Sequence, residues 1–294
     1  MQNLKFYQSL WAMEQRIPNK PELPIRENFQ KISRAGFDGV CLDLGIHELD
    51  EFRKTKALFE EFNLDCMVNV FPSKPEHLLP MLEFSKDLNA CMVNVISGVM
   101  PIQPQDAVTN VTQWMQEADD LNIPLLFETH RDSLLNDLYF TLQLIDLIPE
   151  MRLCADLSHF VVDRELRLPL VERDRKFIHK ILERSDCFQG RVANREQIQI
   201  AIDFPQHQEW VEQFQDWWRE GITLWRERNN DQAELVFLCE LGPRPYAITD
   251  KNQEELSNRW EEALKIRVYI EDVWSEIDKD EKKTNEFRLL NRNL

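Results

Sequence analysis

Residues 66–72 read CMVNVFP and residues 91–97 read CMVNVIS. The two runs are short, rich in valine, and begin 25 residues apart. Apolar runs of this length bounded by turn residues read as fully buried parallel strands, with a longer helical pattern between them. Six more runs follow the same rule: LKFYQSLWAM (4–13), DGVCLDLG (38–45), PLLFETH (124–130), RLCADLSH (152–159), CFQGRVA (187–193) and ELVFLCELG (234–242). Amphipathic stretches lie between them, among them 25–37, 48–63 and 104–122, with proline near a start or small and polar residues near an end, as helix caps require. Eight strand-helix units predict an α/β chain folded as a (β/α)8 barrel. The alternative, an open doubly wound sheet, lacks the glycine-rich turn after the first strand that dinucleotide-binding sheets carry.

Bulk properties agree with one large domain. The chain has 294 residues, 43% hydrophobic and 10% aromatic, with only seven glycines. Residues 1–275 are expected to form the barrel, with 251–275 as its last outer helix. Residues 276–294, EIDKDEKKTNEFRLLNRNL, are expected to form a charged helical extension, either a solvated tail or a dimer arm. The net charge of −17 repels phosphate backbones and anionic membranes, so neither nucleic acid nor a membrane is an expected partner. The N-terminal MQNLKFYQSLWAMEQ has no secretory pattern, and no window reaches the roughly 18 apolar residues of a membrane span. Six cysteines without a CxxC pair suit a reducing cytoplasm. All six fall in predicted strands, as small buried hydrophobes do.

Chemistry in such a barrel sits at the carboxyl ends of the strands. Strand side chains alternate with period two. On that rule Pro124, Leu126 and Glu128 share a face, as do Cys154, Asp156 and Ser158, then Cys187, Gln189 and Arg191, then Val236, Leu238 and Glu240. Four consecutive strands therefore offer Glu128, Asp156, Gln189 and Glu240 to one space. Three converging carboxylates repel one another and need protons or a cation. A divalent metal resolves that conflict. Its all-oxygen ligands suit Mn²⁺ or Mg²⁺, with Co²⁺ or Zn²⁺ also admissible. Around this set stand polar residues of a kind that binds sugars: His130 and Arg131 in ETHRDS, His159 three residues after Asp156, Arg195 in GRVANR, and Arg244 and Tyr246 in ELGPRPY. Trp11, at the end of the first strand, is placed to wall a sugar face. His47, His77, His179 and His207 lie away from strand ends.

The segments FETHRDS, ADLSHF, GRVANRE and CELGPRPY, in that order, resemble the xylose isomerase-like TIM barrels, a broad family of sugar isomerases and sugar phosphate isomerases/epimerases. The resemblance spans about residues 4–275. It implies a divalent metal held by Glu128, Asp156, a strand-seven histidine and Glu240, with Glu128 and Glu240 as the acid/base pair on opposite faces of the sugar. It implies His159 on a substrate hydroxyl and Arg195 on a carbonyl-side oxygen. The chain departs from that pattern at strand seven, where Gln189 stands in place of histidine.

The expected activity is sugar isomerisation or epimerisation by proton abstraction next to a carbonyl, through an enediolate. Elimination from an oxidised sugar or glycoside, by a lyase, would use the same carbanion. A degenerate barrel that only binds a small molecule is the non-catalytic alternative. A metal-dependent phosphodiesterase fits poorly with the acidic charge. Homo-oligomers are common among such barrels.

Overall fold

The computed structural model describes residues 2–292, with side chains described through Asp280. Eight strands close into one parallel barrel in sequence order, β1 pairing with β8: β1 (Asn3–Ser9), β2 (Gly39–Leu44), β3 (Asp65–Val70), β4 (Val93–Val95), β5 (Leu125–Glu128), β6 (Leu153–Ala155), β7 (Ser185–Gln189) and β8 (Glu234–Cys239). The helices around it are α1 (Ile25–Arg34), α2 (Leu49–Phe52), α3 (Lys56–Phe62), α4 (Leu78–Asp87), α5 (Pro104–Leu121), α6 (Leu138–Leu147), α7 (Leu157–Asp163), α8 (Glu172–Leu182), α9 (Gln208–Arg228) and α10 (Arg259–Arg292). The barrel expected from the alternating runs is thus the fold observed.

Local chemistry explains the helix ends. α5 starts on Pro104, whose missing N–H costs nothing in the first turn, and stops at Asn122 in the left-handed region with φ 55°. α1 ends two residues before Gly36, whose φ of +77° is the reversal glycine tolerates best. The expected stretch 48–63 is broken: α2 and α3 are separated by a 3-10 turn at Arg53–Thr55. The expected last helix starts at Arg259 rather than 251 and runs without a break into the charged extension as α10, through Arg292. The side chains of 281–294, and with them the tail-or-arm reading, lie outside the described residues. Among the described residues, no helix is long and apolar enough to cross a membrane.

The two strand faces build two cores. Outward-facing Phe6, Val40, Val68, Phe127, Phe188 and Phe237 pack against the helices. Inward-facing Tyr7, Cys41, Met67, Leu126, Cys154, Cys187, Val236 and Leu238 fill the lower barrel. Five of the six cysteines lie in strands. Cys91 differs, sitting just ahead of β4 and only partly buried, although its N–H still bonds to the Cys66 carbonyl at 2.8 Å. Burial pushes the Cys41, Cys66 and Cys154 thiols well above their usual range, which keeps them protonated packing groups.

Candidate active site

One period-two step above that apolar layer, every strand or strand end contributes a polar residue: Ser9, Asp43, Asn69, Asn94, Glu128, Asp156, Gln189 and Glu240. Much of this layer is one hydrogen-bonded chain. Ser9 Oγ donates to Asp43 Oδ2 at 3.5 Å, Asn69 Nδ2 to Asp43 Oδ1 at 2.9 Å, and Asn94 Nδ2 to Asn69 Oδ1 at 2.9 Å. Asn94 Nδ2 also donates to Glu128 Oε2 at 2.5 Å, and Gln189 Nε2 reaches the same oxygen at 2.7 Å. The sequence reading found the half contributed by β5 to β8. It passed over Asp43, Asn69 and Asn94, which the same alternation marks one step beyond Cys41, Met67 and Met92.

Local structure fixes the acidic members. Glu128 is the last residue of β5. Asp156 follows β6 and caps α7, accepting from Ser158 N at 3.0 Å and Ser158 Oγ at 2.5 Å. Gln189 ends β7, and its carbonyl accepts from Trp218 Nε1 of α9 at 3.2 Å. Glu240 follows β8, whose outgoing loop is pinned where Gly242 N donates to Gln199 Oε1 at 2.6 Å and the Gly242 carbonyl accepts from Gln199 Nε2 at 3.0 Å. Glu128, Asp156 and Glu240 are all buried.

The charge conflict read from the sequence is present and is met by Arg191. Its guanidinium reaches two carboxylates: Nη1 donates to Asp156 Oδ2 at 2.9 Å and Nη2 to Glu240 Oε1 at 2.9 Å. Its Nε donates to the Glu240 carbonyl at 3.1 Å. Trp11 and Tyr246 flank the guanidinium with ring centroids 5.8 and 5.5 Å away, and the two rings meet edge to face at 5.3 Å. Arg191 is only 2% exposed. Placed on the inward face of strand seven by alternation, it had no role in the sequence reading.

Burial dominates the electrostatics. It pushes the Glu128 carboxyl well above the ordinary carboxylate range, with the Glu240 charge adding to the effect. Burial likewise pushes Glu240 up to about 8 against the opposing pull of Arg191, and Asp43 up to about 6. Burial holds His159 well below its usual value and His130 down at about 4, so both imidazoles are neutral near pH 7. Their rings lie 4.0 Å apart. His159 Nδ1 accepts the Arg131 backbone N–H at 3.2 Å, which puts the His159 proton on Nε2, 3.5 Å from Asp156 Oδ2.

The remaining expected substrate contacts divide. Trp11, His130, Arg131 and His159 gather at this mouth, Arg131 with its guanidinium 5.6 Å from the Tyr246 ring. Arg195 turns away, pairing with Glu165 at 3.1 Å and Glu196 at 2.8 Å. Arg244 ties loops together, donating to the Gln15 and Gln253 carbonyls and pairing with Glu255 at 3.2 Å. Tyr246, expected beside Arg244 in ELGPRPY, forms the wall with Trp11.

A divalent ion can be tested against these residues. Glu128, His130 and His159 bring ligand atoms within 4.8 Å of one another, a spacing that suits a metal. Glu128 Oε1, Gln189 Oε1 and Glu240 Oε2 are buried without a hydrogen-bond partner in the structure. Against this, both Asp156 oxygens are engaged, one Glu240 oxygen is held by Arg191, and neither His159 nitrogen presents a free lone pair. With the Arg191 guanidinium in this place, the set Glu128, Asp156, Gln189 and Glu240 does not fit a divalent ion.

No protein-family model and no curated protein matches the chain. Solved structures do. D-allulose 3-epimerase from Methylomonas sp., in complex with D-allulose, is similar at 14% identity and a TM-score of 0.59, covering 92% of this chain and 97% of that one. An L-ribulose 3-epimerase gives 12% identity and a TM-score of 0.62 over 96% of this chain and 98% of that one. A xylose isomerase-like TIM barrel protein from Mycobacterium smegmatis, in complex with magnesium, gives 13% and 0.57 over 92% and 97%. The fold is therefore shared with these solved structures, a (β/α)8 barrel as the alternating runs predicted.

Proposed function

We propose that this chain is a sugar isomerase or epimerase that moves a proton at a carbon next to a carbonyl. The observation that carries the reading is a pair of buried glutamates at the carboxyl end of the barrel, Glu128 and Glu240, each with one oxygen lacking a hydrogen-bond partner among the described residues. Similar structures that act on D-allulose and L-ribulose support the choice of a ketose.

In this reading one glutamate takes the proton while its partner returns one. Burial, by raising both carboxyls, makes the ionised form a stronger base and lets the other remain a proton donor. Asn94 and Gln189 orient Glu128 by gripping a single oxygen, which leaves the other for the substrate. His130, Arg131 and His159 line one side for hydroxyls, and Trp11 with Tyr246 offers an aromatic face for the ring carbons. Mn²⁺ or Mg²⁺ remains the cofactor expected from the sequence. No proton-transfer step here depends on it, and Arg191 holds two of the oxygens it would share, Asp156 Oδ2 and Glu240 Oε1.

The test is solvent exchange. Ketoses including D-allulose and L-ribulose are incubated with the protein in D2O and followed by proton NMR. Deuterium should enter at the carbon beside the carbonyl, with a new epimer or aldose appearing. Absence of both across the panel rejects the proposal, and release of an aglycone from an oxidised glycoside would favour a lyase.

A further inference from the structure

The polar layer holds Asp43, Glu128, Asp156 and Glu240, so its formal charge is far from balanced without a cation. The cation that the structure shows is covalent. Arg191 leaves β7 two residues past Gln189, on the same inward face, and its three donor contacts fall on Asp156 and Glu240. A guanidinium stays charged at any physiological pH and matches two carboxylates with a rigid fork. Trp11, Tyr246 and the Glu240 carbonyl clamp it in place.

Gln189 acts in the same sense. Where the resemblance implies a ligating histidine, this chain presents an amide whose Nε2 donates to Glu128 Oε2 at 2.7 Å and whose Oε1 is left without a partner among the described residues. Asn94 donates to the same oxygen. Glu128 Oε2, both Asp156 oxygens and Glu240 Oε1 are thus taken by N–H and O–H donors, which leaves Glu128 Oε1 and Glu240 Oε2 on separate residues.

We propose that Arg191 replaces the divalent cation, so that the centre excludes divalent ions and works without one. The inference rests on the isomerase/epimerase reading for its chemistry, though not for the exclusion of metal. As a glutamate removes the proton beside the carbonyl, the C–H pair becomes the C=C bond and the carbonyl π pair moves onto oxygen. The negative enediolate oxygen is then stabilised by the guanidinium, and the second glutamate returns a proton to carbon. No oxidant or further reactant is needed.

The probe is Mn²⁺ alone, added to the full chain after treatment with a chelator and followed by equilibrium dialysis and electron paramagnetic resonance. Wild type should bind no stoichiometric Mn²⁺ at millimolar metal. Arg191→Met uncovers Asp156 Oδ2 and Glu240 Oε1 and should bind Mn²⁺ stoichiometrically, whereas Arg191→Lys, which keeps the charge, should not. Stoichiometric binding by wild type that disappears in Asp156→Asn overturns the proposal. So does a folded Arg191→Met that ignores Mn²⁺, with circular dichroism as the folding control. The wild-type measurement stands whether or not either variant folds. Sugar exchange separates the two readings. If wild type rejects Mn²⁺ yet exchanges no sugar, the isomerase reading fails and the arginine-for-metal substitution stands; exchange that requires added Mn²⁺ defeats the substitution alone.

Discussion

Arg191 Nη1 donates to Asp156 Oδ2 at 2.9 Å, with the arginine 2% exposed and the aspartate fully buried. Removing one partner of such a pair leaves a buried charge without its compensation. Asp156→Ala should lower the unfolding free energy by about 3 kcal/mol, measured by urea denaturation. Asp156→Asn, which keeps the side-chain shape and one accepting oxygen, should lose less. An Asp156→Asn variant as stable as wild type would show that the charge of Asp156 contributes nothing.

Glu128→Gln and Glu240→Gln test the proton-transfer pair. Each should reduce deuterium exchange into the substrate by about 100-fold, the usual contribution of one general acid or base. Because burial disfavours ionisation at both sites, neither substitution should destabilise the fold at mildly alkaline pH. A variant that keeps its exchange rate removes that glutamate from the mechanism.

Gly39 tests the lower barrel. A Cβ there would stand 2.7 Å from the Asp65 carbonyl oxygen and 2.7 Å from the Tyr7 ring, and the backbone oxygen has no room to yield. Tyr7 is itself held by its hydroxyl, 3.1 Å from Asp65 Oδ2. Gly39→Ala should cost about 2 kcal/mol by overpacking, read from the denaturation midpoint. An unchanged midpoint would mean that β2 shifts freely against β3.

Glu262 sets a pH dependence away from the site. Burial pushes its carboxyl from 4.5 up to about 7, and its Oε1 has no hydrogen-bond partner in the structure. The folded protein therefore keeps a proton that the unfolded chain has already released between those two values. The stability this proton contributes is complete below pH 4.5, declines as pH rises, and is gone above about pH 7. Glu262→Gln should flatten that decline and raise stability at alkaline pH by about 2 kcal/mol relative to wild type. Parallel stability curves for the two proteins would refute this assignment.

Much of the architecture was determined by the sequence alone. Period-two alternation and the 25-residue recurrence of Cys41, Cys66 and Cys91 mark parallel strands, because a strand covered on both faces must be apolar almost throughout. The same alternation brought Glu128, Asp156, Gln189, Arg191 and Glu240 to one face. Asp43, Asn69 and Asn94 obey it too. Their importance emerges only when the barrel closes, since Asn94 reaches Glu128 across 34 residues of chain.

What only the tertiary structure decided was where the long side chains end. Arg191 and Arg195 lie four residues apart in one loop; one is drawn into the barrel by Asp156 and Glu240, the other outward by Glu165 and Glu196. A flexible arginine carries little local signal for its partner, because Asp156, Glu240 and Glu165 come from other strands and loops and only Glu196 is a sequence neighbour. Alternation thus established that carboxylates converge here, while the closed barrel determined that an arginine of the same chain meets them.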